Sequence, residues 1–226
     1  MLFKTKGIVL NYIKYRESSI IVKIYTEAFG NQSYIVNSVR SKSAKPKIAL
    51  YQPLTLLDLV VYHKESTPLH RISEIKIDIP LHSLPYDFKK TCIGMFLKEV
   101  LIKCLKEETA NPDLFNFLNY SVLTLDNVEK GFENFHLQFL INLSNYLGFA
   151  PTSARDLFNE LFQKNLYNKE LEDLMNKLLE SSYTASLSIT NMERREILDI
   201  LLKFYELNVE GFRELKSVEV LKDLMG

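Results

Sequence analysis

The sequence predicts an α+β protein, in which an all-β N-terminal part forms a small barrel and an all-α part follows it. Up to Pro80, β-branched and aromatic residues alternate with polar ones, which is the pattern of half-buried strands. After Pro80, apolar residues recur every three or four positions, which is the period of an amphipathic helix. The predicted domains are therefore residues 1–80 and residues 81–226.

Five strands are expected before Pro80, at residues 3–15, 19–26, 32–39, 50–62 and 69–79. Gly30 marks a turn between the second and third strands, because glycine adopts a positive φ without strain. Pro53 marks an edge or a bend in the fourth strand, because proline has no N–H to donate. Five short strands without an intervening helical pattern fit a small antiparallel barrel, either SH3-like or an OB-fold.

Seven helices are expected after a linker at residues 80–85. They span about residues 88–105, 111–125, 132–147, 155–163, 169–181, 190–207 and 217–225. The helix at 132–147 is apolar on nearly all sides, so it is predicted to lie at the centre of its domain, with Gly148 as its C-cap. Thr190 and Glu193 have the spacing of a capping box at the start of the sixth helix.

The composition argues against several classes of protein. The chain has 226 residues, of which 46% are hydrophobic and 25% charged, as in an ordinary globular protein. It contains no run of 18 apolar residues, and its first residues lack the pattern of a signal peptide, so a cytoplasmic protein without membrane attachment is expected. The two cysteines and four histidines share no metal-ligand spacing, so neither a metal nor another cofactor is expected.

Motifs that carry catalysis are also missing from the sequence. There is no P-loop, no GxGxxG and no GxSxG, and the carboxylates recur at the spacing of solvated helix surfaces. These observations predict a binding protein rather than an enzyme. An enzyme whose active site is assembled from distant residues of the helical half stays open as an alternative.

The net charge of zero conceals a division along the chain. Residues 1–80 carry 12 basic and 6 acidic residues, whereas residues 81–226 carry 16 basic and 22 acidic residues. The segment at residues 37–48 contains four cations, no carboxylate and three serines, and it falls between the third and fourth predicted strands. Such a segment can hold a phosphate backbone, although a solvated connector has the same composition.

Cations and aromatic residues together predict a nucleic-acid surface on the first domain. Charges follow a phosphate backbone, and exposed aromatic rings stack on bases. The predicted DNA-binding residues are Lys4, Lys6, Arg16, Lys23, Arg40, Lys42, Lys45 and Lys47. Most of the tyrosines in this region are expected to pack in the barrel, and one or two exposed rings would suffice for stacking.

Several of these segments resemble a known family. Residues 7–10, 15–19, 22–27, 34–36, 39–43 and 50–54 together resemble the N-terminal OB domain of the bacterial RecO family of DNA repair proteins. Residues 135–140 and 147–151 resemble the family's central helix and its ending, and residues 205–217 resemble its C-terminal segment, especially in Bacteroidetes-type members. Many RecO proteins carry a four-cysteine zinc module after this central helix, but residues 152–184 contain no cysteine, so a zinc-dependent role is not implied.

The resemblance implies a recombination mediator whose first domain, residues 1–80, is an OB-fold. Such a protein binds single- and double-stranded DNA, anneals complementary strands and, with RecR and the single-strand-binding protein SSB, helps to load RecA. It implies a nucleoid-associated protein with RecF as a further partner, and an acidic SSB tail that docks on the helical domain. The candidate residues for partner docking are Lys89, Lys90, Lys98, Lys103, Arg155 and Lys203. A protein–protein adaptor without a DNA role is the alternative.

Overall fold

A computed structural model describes residues 1–39, 48–161, 168–183 and 187–225. In these residues five strands precede seven α-helices, so the predicted order of an all-β part and an all-α part is confirmed. The strands are β1 (Leu2–Tyr15), β2 (Ser19–Thr26), β3 (Gly30–Val36), β4 (Leu56–Tyr62) and β5 (His70–Ile77). The helices are α1 (Phe88–Cys104), α2 (Pro112–Asn127), α3 (Phe135–Leu147), α4 (Ala154–Leu161), α5 (Lys169–Glu180), α6 (Asn191–Asn208) and α7 (Ser217–Met225).

The chain forms two compact units. The barrel unit consists of Met1–Pro85 and Leu105–Leu123, and the helical unit consists of Tyr86–Cys104 and Thr124–Gly226. The first part of α2 therefore belongs with the barrel, although it follows α1 in the chain. The predicted domains at residues 1–80, for DNA binding, and residues 81–226, for partner docking, stay a prediction.

The five strands close into a barrel in the order β1, β2, β3, β5, β4. All pairs are antiparallel except β3 and β5, which are parallel and share the short register Tyr34–His70 and Ile35–Arg71. This arrangement is that of an OB-fold rather than an SH3-like barrel. The buried core draws on β1 to β4 and includes Val9, Val22, Ile24, Tyr34, Leu57, Leu59 and Val61.

The fourth strand begins later than predicted. Residues Ala49–Tyr51 form a 3₁₀ helix, and β4 begins only at Leu56. Pro53 cannot donate to a ladder, and Leu54 has a φ of 65°, which an extended strand does not contain. The Leu54 N–H instead donates to the Val9 carbonyl at 2.7 Å, so this turn is fixed to β1.

The segment that follows α1 covers the edge of β3 that β5 leaves unpaired. The Asn31 N–H donates to the Glu107 carbonyl at 3.0 Å, and the Asn31 side-chain amide donates to the Leu105 carbonyl. The rings of Tyr25 and Phe115 stack with centroids 6.4 Å apart. An exposed strand edge invites pairing with another chain, and this contact protects it.

Replacing Gly30 by alanine is expected to lower the free energy of unfolding by about 2–3 kcal/mol. Gly30 has a φ of 62°, and an added Cβ would lie 2.4 Å from the Thr109 carbonyl oxygen and 2.8 Å from that of Glu107. Chemical denaturation checks this value. The control is Gly131→Ala, because Gly131 has a φ of 76° but no neighbour within 4 Å of an added Cβ. Equal losses of unfolding free energy in the two variants would contradict the close approach of the Glu107 and Thr109 carbonyls to Gly30.

The helical unit is built around α3, as the sequence predicts. Nine of its thirteen residues are buried, and Gly148 ends it in the left-handed conformation with a φ of 83°. The Tyr205 hydroxyl on α6 donates to the Leu140 carbonyl at 2.6 Å, and the Thr190–Glu193 capping box is present. None of the helices in the described segments is both long enough and apolar enough to cross a lipid bilayer.

Candidate nucleic-acid interface

The predicted DNA-binding residues fall into three groups. Arg40, Lys42, Lys45 and Lys47 lie outside the described residues. Lys4 and Lys6 are exposed on β1, next to β4, whereas Lys23 is exposed on β2 and Arg16 in the turn between β1 and β2. The four described cations thus divide between two sides of the barrel.

The outer face of β1, β4 and β5 is compensated in charge. Lys6 Nζ lies 2.8 Å from Asp78 Oδ2, and Lys76 Nζ lies 3.0 Å from Asp58 Oδ2. The hydrogen bond that Lys6 donates to Asp78 raises the pKa of Lys6, and the hydrogen bond that Lys76 donates to Asp58 lowers the pKa of Asp58. Because each of these cations faces a carboxylate, this face attracts a polyanion less than its lysines alone would suggest.

The outer face of β1, β2 and β3 carries Lys23, which has no carboxylate as a cross-strand partner. Lys23 lies opposite Asn11 on β1 and Ser33 on β3. The guanidinium of Arg16 lies 5.2 Å from the centroid of the Tyr15 ring, which is a cation–π distance. Glu17 follows Arg16 in the turn, but Lys23 has no carboxylate as a cross-strand partner. This face, rather than the one with Lys4 and Lys6, suits a phosphate backbone.

Replacing Lys23 by glutamine is expected to weaken DNA binding more than the same change at Lys6. If Lys23 contacts one phosphate, the slope of log K against log salt should fall by about 0.7–0.9. Lys6→Gln is the control, because Lys6 is already paired with Asp78. Fluorescence anisotropy over a salt series measures both slopes. A larger loss in Lys6→Gln would assign the interface to the other face.

The tyrosines of the barrel divide as the sequence predicts. Tyr25, Tyr34 and Tyr51 are buried, whereas Tyr62 at the end of β4 is 50% exposed. Arg71, which the sequence interpretation missed, lies directly opposite Tyr62 in the register of β4 and β5. Only the cross-strand pairing brings these two residues together, so local sequence gave no signal for it.

Two histidines stack with aromatic rings in the barrel unit. The centroid of His63 lies 4.0 Å from Phe29 and 4.5 Å from His70, with both ring pairs nearly parallel. Burial, and then the neighbouring His63, lowers the pKa of His70 and so favours its neutral form. Among the described residues no three His, Cys, Asp or Glu side chains are grouped closely enough to hold a metal ion. The histidines act here as packing groups.

The six candidate residues for partner docking lie on three helices of the helical unit. Lys89, Lys98 and Lys103 lie on α1 with Lys90, Arg155 lies on α4, and Lys203 lies on α6. Arg155 Nε lies 3.4 Å from Glu172 Oε1. Their role in docking stays a prediction.

Lys90 differs from the other five candidates because it is only 4% exposed. Its Nζ donates to the Asp126 carbonyl at 2.8 Å and lies 5.5 Å from the centroid of the Phe132 ring. A partner can reach this ammonium group only if these contacts open. The structure therefore gives Lys90 a part in holding the helical unit together.

A closed OB-like barrel with exposed lysines, followed in one chain by a helical unit, is an architecture that suits nucleic-acid binding. Two family models match the chain: Recombination protein O N terminal over residues 1–79, and Recombination protein O C terminal over residues 85–160. The chain belongs to the RecO family of DNA repair proteins.

Full-length relatives agree with this assignment. The chain is 38% identical over 242 residues to DNA repair protein RecO of Bacteroides fragilis, with 99% of each chain covered. It is 37% identical over 240 residues to DNA repair protein RecO of Christiangramia forsetii, with 100% of each covered. It is 36% identical over 237 residues to DNA repair protein RecO of Flavobacterium psychrophilum, with 99% of each covered. These matches support a role in DNA repair.

Proposed function

We propose that this protein is a recombination mediator that binds single- and double-stranded DNA, anneals complementary strands and helps to load RecA together with RecR and SSB. RecF is a further partner in this proposal, and the site of action is the nucleoid in the cytoplasm. The observation that carries it is the outer face of β1, β2 and β3, where Lys23 has no carboxylate as a cross-strand partner. The basic segment at residues 40–47 follows β3 in the same chain.

Annealing makes physical demands that this surface meets without a catalytic group. Two strands repel each other through their phosphates, and protein cations reduce that repulsion and release counterions. Contacts of these cations with the phosphate backbone carry no sequence information, so this part of the binding does not depend on sequence. The proposal is therefore of a protein that acts by binding, with no bond made or broken.

The groove between α1 and α7 is the proposed docking site for the SSB tail. It encloses about 100 Å³, and its lining includes Cys92, Met95, Lys216 and Val220. Glu99 also lines it, and its carboxylate accepts hydrogen bonds from the N–H and hydroxyl of Ser217. Met95 is 52% exposed and Val220 is 49% exposed. In the RecO family the SSB tail is acidic and ends in apolar residues, so an apolar groove with Lys216 at its rim is complementary to it.

Annealing of complementary strands that have first been coated with cognate SSB tests the proposal. The protein is expected to accelerate annealing of the coated strands, and to lose this effect when SSB lacks its C-terminal tail. An adaptor without a DNA role would show no affinity for bare DNA at moderate salt and no acceleration. That result would overturn the mediator proposal.

A charge placed in the groove tests the docking site separately. Met95→Glu is expected to weaken binding of an SSB tail peptide at least tenfold, because it places a carboxylate against an acidic ligand. Met192→Glu is the matched control, since Met192 is 76% exposed on α6 and does not line the groove. Equal affinities for the two variants would place the tail elsewhere.

A further inference from the structure

Six outward-facing residues form a continuous row around the barrel, which we name the outer ring. Each is the cross-strand partner of the next, from Ile13 to Ile21, Ile35, Arg71, Tyr62 and Leu2. Their neighbours in sequence, such as Tyr12, Val22 and Tyr34, point into the core, so the ring residues point away from it. Ile13, Tyr62 and Leu2 are 57%, 50% and 51% exposed.

The outer ring is apolar and cationic, and no carboxylate interrupts it. Positions two residues away along a strand share the same face. In the described strands and strand ends these neighbours include three lysines, Lys4, Lys23 and Lys64. One carboxylate, Glu74, also lies on this face, because the bulge in β5 places it opposite Val60. An exposed aliphatic and aromatic row beside positive charge is unusual on a protein surface and indicates a ligand with both flat apolar groups and negative charge.

We infer that the outer ring contacts the bases of single-stranded DNA, with Tyr62 and Arg71 as its stacking position. The inference rests on the proposed DNA binding and specifies its substrate. Single strands expose base faces that stack on aromatic rings and guanidinium planes, whereas in a duplex these faces are covered by neighbouring bases. Tyr62 and Arg71 are direct partners in the register of β4 and β5, so their side chains lie about 5 Å apart at Cβ.

The aliphatic part of the ring continues this platform from Arg71 toward the cationic face. Ile35 is the parallel partner of Arg71, and Ile21 then lies opposite both Ile35 and Ile13. Lys23, two residues from Ile21 on the same face, is placed to meet the phosphates of the strand whose bases cover the isoleucines. The ring thus separates base contact from backbone contact, and only the former distinguishes single strands from duplex.

Tyr62→Ala tests the inference with the full-length chain, a fluorescent oligothymidylate and a duplex of equal length. Affinity for the single strand is expected to fall roughly tenfold or more, with an unchanged salt slope because no charge is removed. Duplex affinity is expected to change by less than about twofold. Tyr62→Phe keeps the ring and should retain single-strand affinity. A bromodeoxyuridine-substituted strand is expected to crosslink to Tyr62.

The controls separate this inference from the proposal on which it rests. Tyr86→Ala removes another exposed tyrosine, 82% exposed and outside the barrel strands, and should leave both affinities unchanged. Equal losses for single strand and duplex in Tyr62→Ala, or no loss for either, would overturn base contact while leaving DNA binding intact. No loss of affinity for either DNA is also the result expected if the outer ring binds a protein. Failure of the unaltered chain to bind either DNA would overturn both proposals.

Discussion

Replacing Arg194 by alanine is expected to lower the free energy of unfolding of the helical unit by about 3–5 kcal/mol. Arg194 is only 7% exposed, and its guanidinium donates to three neutral acceptors. Nε donates to Asn134 Oδ1 at 2.9 Å, one terminal nitrogen donates to Asn191 Oδ1 at 3.0 Å, and the other donates to the Ile189 carbonyl at 3.0 Å. Alanine would leave the acceptors of Asn134 and Ile189 buried without this donor.

The neighbouring Arg195 provides a matched control for this prediction. It is exposed on the same helix and donates to the Lys222 carbonyl, so Arg195→Ala should cost less than about 1 kcal/mol. Urea denaturation followed by far-UV circular dichroism suits the chain, which has no tryptophan. A loss at Arg194 no larger than that at Arg195 would show that the buried network does not stabilise the fold.

Acid is expected to destabilise the helical unit through His136, by about 4–5 kcal/mol between pH 6.5 and pH 3. Burial, and then the nearby Arg194 charge, lowers the pKa of His136 to about 3. Below pH 6.5 the unfolded chain therefore binds one proton that the folded chain does not, and stability is lost as the pH falls. Denaturation at several pH values measures this slope, about 1.4 kcal/mol per pH unit.

His136→Met removes the buried proton acceptor and should flatten the pH dependence. At pH 7 the variant is expected to lose less than about 1.5 kcal/mol, because His136 Nδ1 has no hydrogen-bond partner in the described residues and methionine adapts to irregular space. At pH 4 it should exceed the parent in stability. His82→Met, at an exposed histidine, controls for histidine number. If the free energy of unfolding falls with pH in the same way in His136→Met and in the parent, His136 is not the source of the acid destabilisation.

Local sequence was sufficient for most helices and strands. The capping box at Thr190 predicted a helix from residue 190, and α6 begins at Asn191, because a cap is encoded by residues three positions apart. The predicted start of the fourth strand was wrong, because the turn at Leu54 depends on a hydrogen bond to Val9, 45 residues earlier. The place of residues 105–123 beside the barrel depends likewise on the distant Asn31.

The candidate site could be predicted only in part. The concentration of cations before residue 80 is visible in the sequence, but the pairing of Lys6 with Asp78 is not, because 72 residues separate them. The outer ring could not be predicted from local sequence either, because Tyr62 and Arg71 are brought together only by the register of β4 and β5. Local sequence patterns therefore identified where positive charge is concentrated. Which of these cations are paired with carboxylates depends on the register of the strands.

The salt dependence of DNA binding tests the central claim most directly. Log K against log salt is measured for the parent and for a variant with Arg40, Lys42, Lys45 and Lys47 replaced by glutamine. If each cation contacts a phosphate, the slope should fall by about 3–4 on single-stranded DNA or duplex. The double variant Lys6→Gln, Lys76→Gln should change the slope much less, because in the parent these two lysines are already paired with carboxylates. An unchanged slope in the fourfold variant would contradict DNA binding through the basic segment.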